Sequence, residues 1–410
     1  MPSYDLSNEK NRVKETMVAV ESRHEFEMFT KKILYVVTAM RLNFIDPAHW
    51  NCRKIINAII TTIMLGLACY SLIYTMHNTF SMTHSAMMMS SKLLTIAWSI
   101  QSIVSVCFLI YWQVNGHMKS FHRQIMECQD GVGIREGRKM IIKNIIWFYS
   151  VIFIEIFIIS LYNIAYYVGN NHSDFVIRQA KMFYFSQLRF LNSVITLYTY
   201  IAWNACMFLY IIYTNAAFLE IKHFNDELEK LDGAADDVEF QLLNKMETYG
   251  RLCGIVRELD RIFRLYAFIM LVIIIPSVIF TLMMLNQLIH GIKDFIICMP
   301  SIALCVYSFL GVTVAPARLH DEVGRSRICL IRNESVWFPY RKDVFTIAQV
   351  LSSHMEQYDL GISIWGFAIL SRPLVLATFS VMAMVLSVII ELTPTSHMIE
   401  IINCTTSTAL

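Results

Sequence analysis

The chain has 410 residues, 56% of them hydrophobic and 16% charged, with a mean hydropathy of +0.49, whereas soluble domains carry about 25% charged residues. This is the composition of a membrane protein, and a net charge of +2 leaves no global excess to draw nucleic acid. The 12 histidines and 10 cysteines fall without metal-ligand spacing and no Gly-rich phosphate loop appears, so no enzyme chemistry, cofactor or metal site is expected.

Residues 1–54 mix nine Lys and Arg with seven Asp and Glu and lack the apolar core and small-residue cleavage site of a signal peptide. The first apolar run is therefore expected to act as its own insertion signal. The segment reads as a solvated cytosolic piece, helical around Phe26 to Val37, with a loop at Asp46-Pro47.

A helix needs about 20 apolar residues to cross about 30 Å of hydrocarbon. Seven runs qualify: Ile55 to Met76, Leu93 to Tyr111, Ile145 to Tyr167, Leu188 to Tyr213, Leu265 to Leu285, Ile296 to Val314 and Pro373 to Leu392. The expected fold is an all-α membrane protein with seven transmembrane helices. Lys and Arg next to spans stay in the cytosol. The stretch before the first run and alternate loops thereafter hold nine, six, seven and seven of them; the other loops hold only Lys92, Arg178 with Lys181, and Lys293. The N-terminus is expected to be cytosolic and the C-terminus extracellular, at the plasma membrane.

Asn171-His172-Ser173 and Asn403-Cys404-Thr405 are glycosylation sequons on the expected outer side. Asn333-Glu334-Ser335 falls inside and should stay unmodified. Most cysteines lie in spans or cytosolic loops, where disulfides are rare; Cys298 and Cys404 either pair outside or are two free thiols.

The cytosolic pieces have helical patterns. After a Gly-containing break at Asp232 to Asp237, Leu243, Met246, Leu252, Ile255, Val256, Leu259 and Ile262 recur at three and four spacing and run without a stop into the fifth span. The sixth span continues through ARLHDEVGRSRICLIRNE, and KDVFTIAQVLSSHMEQYDLGISIWGFAIL gives a third amphipathic helix before Ser371-Arg372-Pro373. These stripes are buried either within one subunit or between subunits. The resulting division is 1–54, spans one to four at 55–214, a cytosolic helical loop at 215–264, spans five and six at 265–314, cytosolic helices at 315–372, the last span at 373–392 and an outer tail at 393–410.

Polar residues in the spans are of two kinds. Trp98, Gln101, Tyr162, Asn163, Asn192 and Thr281 are either interfacial and core packing or ligand contacts. Glu155 and Arg189 are ionisable groups within apolar runs, which are functional candidates by default; Arg189, near an end, can also snorkel. Glu391 ends the last span, where a carboxylate costs little and can simply mark the edge of the hydrocarbon.

YGRLCGIVRELDRIFRLYAF leading into the fifth span and SSHMEQYDLGISIWGFAILSRPL leading into the seventh, with the short terminal span and the inward N-terminus, resemble the insect gustatory and odorant receptor superfamily, the gustatory branch more closely. The resemblance covers roughly residues 240 to 392. The gustatory signature in the last span, Thr-Tyr, five apolar residues, Gln-Phe, is matched in spacing by Met384-Val385, Leu386 to Ile390 and Glu391-Leu392, with all four signature residues replaced. The resemblance implies a tetrameric ligand-gated cation channel, homomeric or with related subunits, whose cytosolic helices form an anchor. It also implies a pocket among the outer halves of the spans for a small organic ligand, to which Trp98, Gln101, Glu155, Tyr162, Asn163, Arg189 and Asn192 would contribute. Four Glu391 side chains would ring the pore mouth, and Val385, Val388 and Leu392 would form a hydrophobic gate. A metabotropic seven-helix receptor needs the opposite orientation. A transporter should show internal repeats, which are not visible, and a non-conducting or co-subunit member of the same fold remains as the alternative.

Overall fold

Apolar runs that continue into amphipathic ones give helices longer than a bilayer is thick. The computed structural model describes residues 30–44, 52–81, 86–129, 131–168, 189–288, 292–356 and 359–392. Helix α1 covers residues 30–39. It is followed by α2 (Cys52–Phe80), α3 (Ala86–Val114), α4 (His117–Gln129), α5 (Val132–Glu136) and α6 (Arg138–Val168). Three long helices come next: α7 (Arg189–Glu229), α8 (Val238–Leu288) and α9 (Ile292–Arg332). Short α10 (Glu334–Trp337) and α11 (Lys342–His354) lead to a hairpin of β1 (Ser363–Ile364) and β2 (Ala368–Ile369), and α12 (Arg372–Leu392) follows it.

Each of the seven apolar runs falls on one of these helices. Among the described residues α2, α3, α6, α7, α8 and α9 are long and apolar enough to cross a membrane, while α12 is a shorter apolar helix of 21 residues. The 51 residues of α8 extend about 76 Å at 1.5 Å per residue, so more than half of it lies beyond any hydrocarbon layer. The break read at Asp232 to Asp237 separates α7 from α8, and the amphipathic pattern around Leu252 to Ile262 is continuous with the fifth apolar run, as the sequence indicates.

Helix α7 is the axis of the bundle. Of its most apolar stretch 72% is buried, against 17% in α2 at the periphery. It packs against α3, α6, α8 and α9. Where α3, α7 and α8 cross, Trp112 meets Phe263 with ring centroids 4.8 Å apart at 84° and Tyr266 at 5.2 Å and 72°. Tyr210 meets Phe263 at 5.1 Å and 84°. Edge-to-face pairs of this kind add about 0.5–1.5 kcal/mol each beyond area burial.

Three features depart from the sequence reading. Residues 30–44 are not simply solvated: Ile33, Val37 and Leu42 are fully buried in the main core. The segment between the second and third runs folds into α4 and α5, with Phe121, Ile125, Met126 and Cys128 of α4 buried. The third amphipathic helix ends at His354, and the rest forms the hairpin, with Ser363 opposite Ile369 and Ile364 opposite Ala368. Trp365 at φ 49° and Gly366 at φ 83° make the tight turn whose left-handed pair of residues matches strand twist, and the Phe367 amide closes it on the Ile364 carbonyl at 3.0 Å.

Helix α5 approaches α7 so closely that a Cβ on Gly133 would sit 2.6 Å from the Leu219 carbonyl oxygen and 2.9 Å from Glu220 Cα. Gly133→Ala is expected to lower stability by about 1–3 kcal/mol through this overpacking. Gly254→Ala, in the open on α8, should be neutral or stabilise by up to about 1 kcal/mol; thermal unfolding in detergent distinguishes the two.

Candidate functional site

An Asn amide of α7 joins three helices inside the bundle. Asn204 is fully buried and Glu155 of α6 is 6% exposed. Asn204 Nδ2 donates to Glu155 Oε1 and Oε2 at 2.6 and 2.7 Å and to the Tyr200 carbonyl at 2.9 Å. The Tyr307 hydroxyl of α9 donates to Asn204 Oδ1 at 2.8 Å. Glu155 was legible as an ionisable group on an apolar helix. Its partners were not, although an Asn one span later was a usable signal.

None of the other pocket candidates with described side chains hydrogen-bonds to this network. On α3, Trp98 packs beside Leu94, Met284 and Cys305. Gln101, one turn on, is 2% exposed and its Nε2 is buried without a hydrogen-bond partner among the described residues. Thr281 of α8 donates to the Ser277 carbonyl at 2.8 Å and lies 3.0 Å from Cys305 Sγ. Asn192 is half-buried on α7. The backbone puts Tyr162 and Asn163 on α6 and Arg189 at the start of α7; their side chains, and all of Asn171 and Asn403, lie outside the described residues. The third sequon's Asn333 commits its amide nitrogen to the Leu228 and Leu231 carbonyls at 3.1 and 2.8 Å.

Helix α12 stands at the edge of the chain, against α8 and α9. Pro373 takes a first-turn position, where its missing N–H costs nothing. Met382 is buried and Phe379 meets Phe309 of α9 at 4.6 Å. Leu376, Val381, Met384, Val388 and Glu391 are exposed and Val385 is half-buried; the Leu392 side chain lies outside the described residues. Thr378, Ser380 and Ser387 each donate to the carbonyl four residues back.

The base of α12 is tethered to the extensions of α8 and α9. Asp260 Oδ1 of α8 accepts the Ser363 amide at 2.6 Å and its hydroxyl at 2.7 Å. His320 Nδ1 of α9 donates to the Leu360 carbonyl at 2.9 Å, and Arg372 forms an ion pair with Asp321. A cleft of about 910 Å³ opens beside this tether, lined by Asp260, His320, Asp359, Phe367, Pro373 and Leu374 among others.

Two substitutions test these couplings. Asn204→Leu leaves Glu155 and Tyr307 without their partner and is expected to destabilise the bundle by about 1–3 kcal/mol, read as a lower unfolding temperature in detergent. Asp260→Ala removes two hydrogen bonds to a carboxylate, each worth about 1.5–3 kcal/mol. Faster hydrogen exchange confined to the hairpin is the expected result, whereas Arg372→Ala, which removes a pair with an exposed guanidinium and a half-buried Asp321, worth about 1 kcal/mol, should change exchange there less.

No protein-family model and no curated protein matches the sequence. Among solved structures the chain is similar to the insect olfactory receptor OR5 from Machilis hrabei, with a TM-score of 0.60 and 10% identity over 90% of this chain and 100% of that one. It is also similar to the same receptor in complex with eugenol, with a TM-score of 0.63 and 9% identity over the same shares. The likeness extends beyond residues 240 to 392, where the sequence resemblance was read, to nearly the whole chain, and at these identities it is one of fold. The protein has the fold of an insect olfactory receptor, within which its sequence is highly divergent.

Proposed function

We propose that the chain is a chemosensory receptor of the gustatory type that works as a ligand-gated, non-selective cation channel in the plasma membrane. Four copies, or copies with related subunits, surround one pore lined by α12. The carrying observation is the exposure of α12 in a chain with an olfactory receptor fold: Leu376 is 66%, Met384 61% and Val388 49% exposed. An apolar helix held to its own chain on one side only has a second side to be covered. At 100° per residue, Val385, Val388, Glu391 and Leu392 fall within about a third of the helix circumference. One face of α12 can therefore present both a hydrophobic constriction and an acidic ring that draws cations.

In this reading seven spans cross the membrane with the N-terminus in the cytosol, and Asn171 and Asn403 carry glycans outside. The ligand is a small organic molecule received among Trp98, Gln101, Glu155, Tyr162, Asn163, Arg189 and Asn192. The eugenol complex of the similar receptor supports that ligand class. Unpaired and buried, Gln101 Nε2 supports the place, because a ligand oxygen would satisfy a donor that otherwise costs about 1–3 kcal/mol. The replaced signature in α12 favours a second reading, a non-conducting or co-subunit member of the fold.

Whole-cell recording from cells expressing the chain alone, challenged with a broad tastant and odorant panel, separates the two. Evoked cation current with divalent permeability reduced in Glu391→Gln is the expected outcome. Silence from a chain that reaches the surface as a tetramer would select the second reading.

A further inference from the structure

Helix α6 carries its exposed side without interruption from apolar to basic. Ile146, Trp147, Phe153, Ile154 and Phe157 are between 50% and 70% exposed and fall on one side of the helix, the side turned to lipid if α6 spans the membrane. Continuing toward the N-terminus at four-residue steps, Trp147 is preceded by Lys143 and Lys139, both exposed. The lipid-facing stripe thus ends in two lysines directly below an aromatic residue of the kind that settles at headgroup depth.

Two other helices bring basic side chains to the flanks of this stripe. The Tyr149 hydroxyl of α6 donates to the Lys32 carbonyl at 2.9 Å. This fixes α1 against α6 with Ile33 and Val37 buried, Tyr35 74% exposed and Lys32 exposed. On the opposite flank Arg318 of α9 stacks 4.6 Å over the Phe218 ring and reaches Met140 Sδ at 3.9 Å, beside Lys139. The carboxylate nearest in sequence, Glu136, faces His223 of α7 at 2.9 Å.

We propose that Lys32, Lys139, Lys143 and Arg318 form a binding site for the headgroup of an anionic phospholipid, of the phosphoinositide class, in the cytosolic leaflet. The charge supplies the commitment to this occupant: basic side chains from three helices, at the foot of a lipid-facing apolar stripe and on either side of it, match a multiply charged headgroup whose acyl chains lie along that stripe. This site rests on the membrane-spanning orientation proposed above, with the N-terminus in the cytosol, where anionic lipids concentrate.

The test is native mass spectrometry of the full chain in detergent with phosphatidylinositol bisphosphate and, separately, phosphatidylcholine. Preferential retention of the phosphoinositide is expected. The Lys139→Gln/Lys143→Gln double variant should weaken it about thirtyfold, following ~1 kcal/mol per basic residue near a membrane surface. Lys230→Gln, an exposed charge in the turn after α7, should leave binding unchanged. Equal retention of phosphatidylcholine, equal binding by the double variant, or an equal loss in Lys230→Gln overturns the site. Displacement of the lipid by soluble inositol phosphate at matched concentration would assign the patch to a free anion and overturn it as well. The readout needs no conduction, so a silent receptor that still selects the phosphoinositide selects the non-conducting or co-subunit reading and leaves this site standing.

Discussion

The structure depends on the enclosure of α7. A helix surrounded by α3, α6, α8 and α9 cannot send its polar groups to water, and a buried polar group without a partner costs about 1–3 kcal/mol on protein scales. Several polar side chains along it therefore fix a neighbour. Asn204 sets α6 and α9 through Glu155 and Tyr307, and Tyr210 donates to the Val312 carbonyl at 3.0 Å. Glu220 accepts the Ile134 amide of α5 at 2.9 Å, and Asn225 donates to both the carbonyl and the carboxylate of Glu322 at 2.9 Å. Apolar surfaces alone would let long helices slide along one another; this ladder of polar contacts specifies their register.

That register carries down into the extensions that hold α12. Residues Asp260 and His320, which grip the hairpin, sit on α8 and α9 just past the apolar runs, and the aromatic cluster of Trp112, Tyr210, Phe263 and Tyr266 lies directly above Asp260 along α8. Ion pairs at the far end, Arg325 with Glu229 at 2.9 Å and Arg341 with Glu239 at 3.5 Å, are exposed and contribute little. The buried contacts fix the bundle, and the hairpin ties the extensions of α8 and α9 to the base of α12.

Much of this was legible because it rests on length and periodicity. The apolar runs, the break between α7 and α8 and the continuity of α8 into the fifth run all follow from patterns long enough to outweigh local propensity. The short elements were not. Helices α4 and α5 bury their apolar residues against α7 and α8, a surface that no local pattern declares, and the hairpin hides in a stretch whose apolar residues also fit a helix until Trp365 and Gly366 take left-handed angles. Glu155 could be marked as needing a partner, but choosing Asn204 and Tyr307 required knowing that α6, α7 and α9 meet at one depth. Sequence reasoning on Tyr162, Asn163, Arg189 and the sequons at Asn171 and Asn403 concerns side chains beyond the described residues.

The same physics explains how a fold can persist at 10% identity. Helix length, an apolar stripe of the right phase and a satisfied polar group at each buried crossing can be met by many residue sets, since packing constrains volume and pattern more than identity. Helix α12 is the extreme case. Among the described residues it is held by Met382, by Phe379 on Phe309 and by the tether at its base, and much of its surface meets no neighbour. The fold therefore places α12 without dictating what it displays. The exposed residues of α12 can therefore change while the bundle that presents them stays intact.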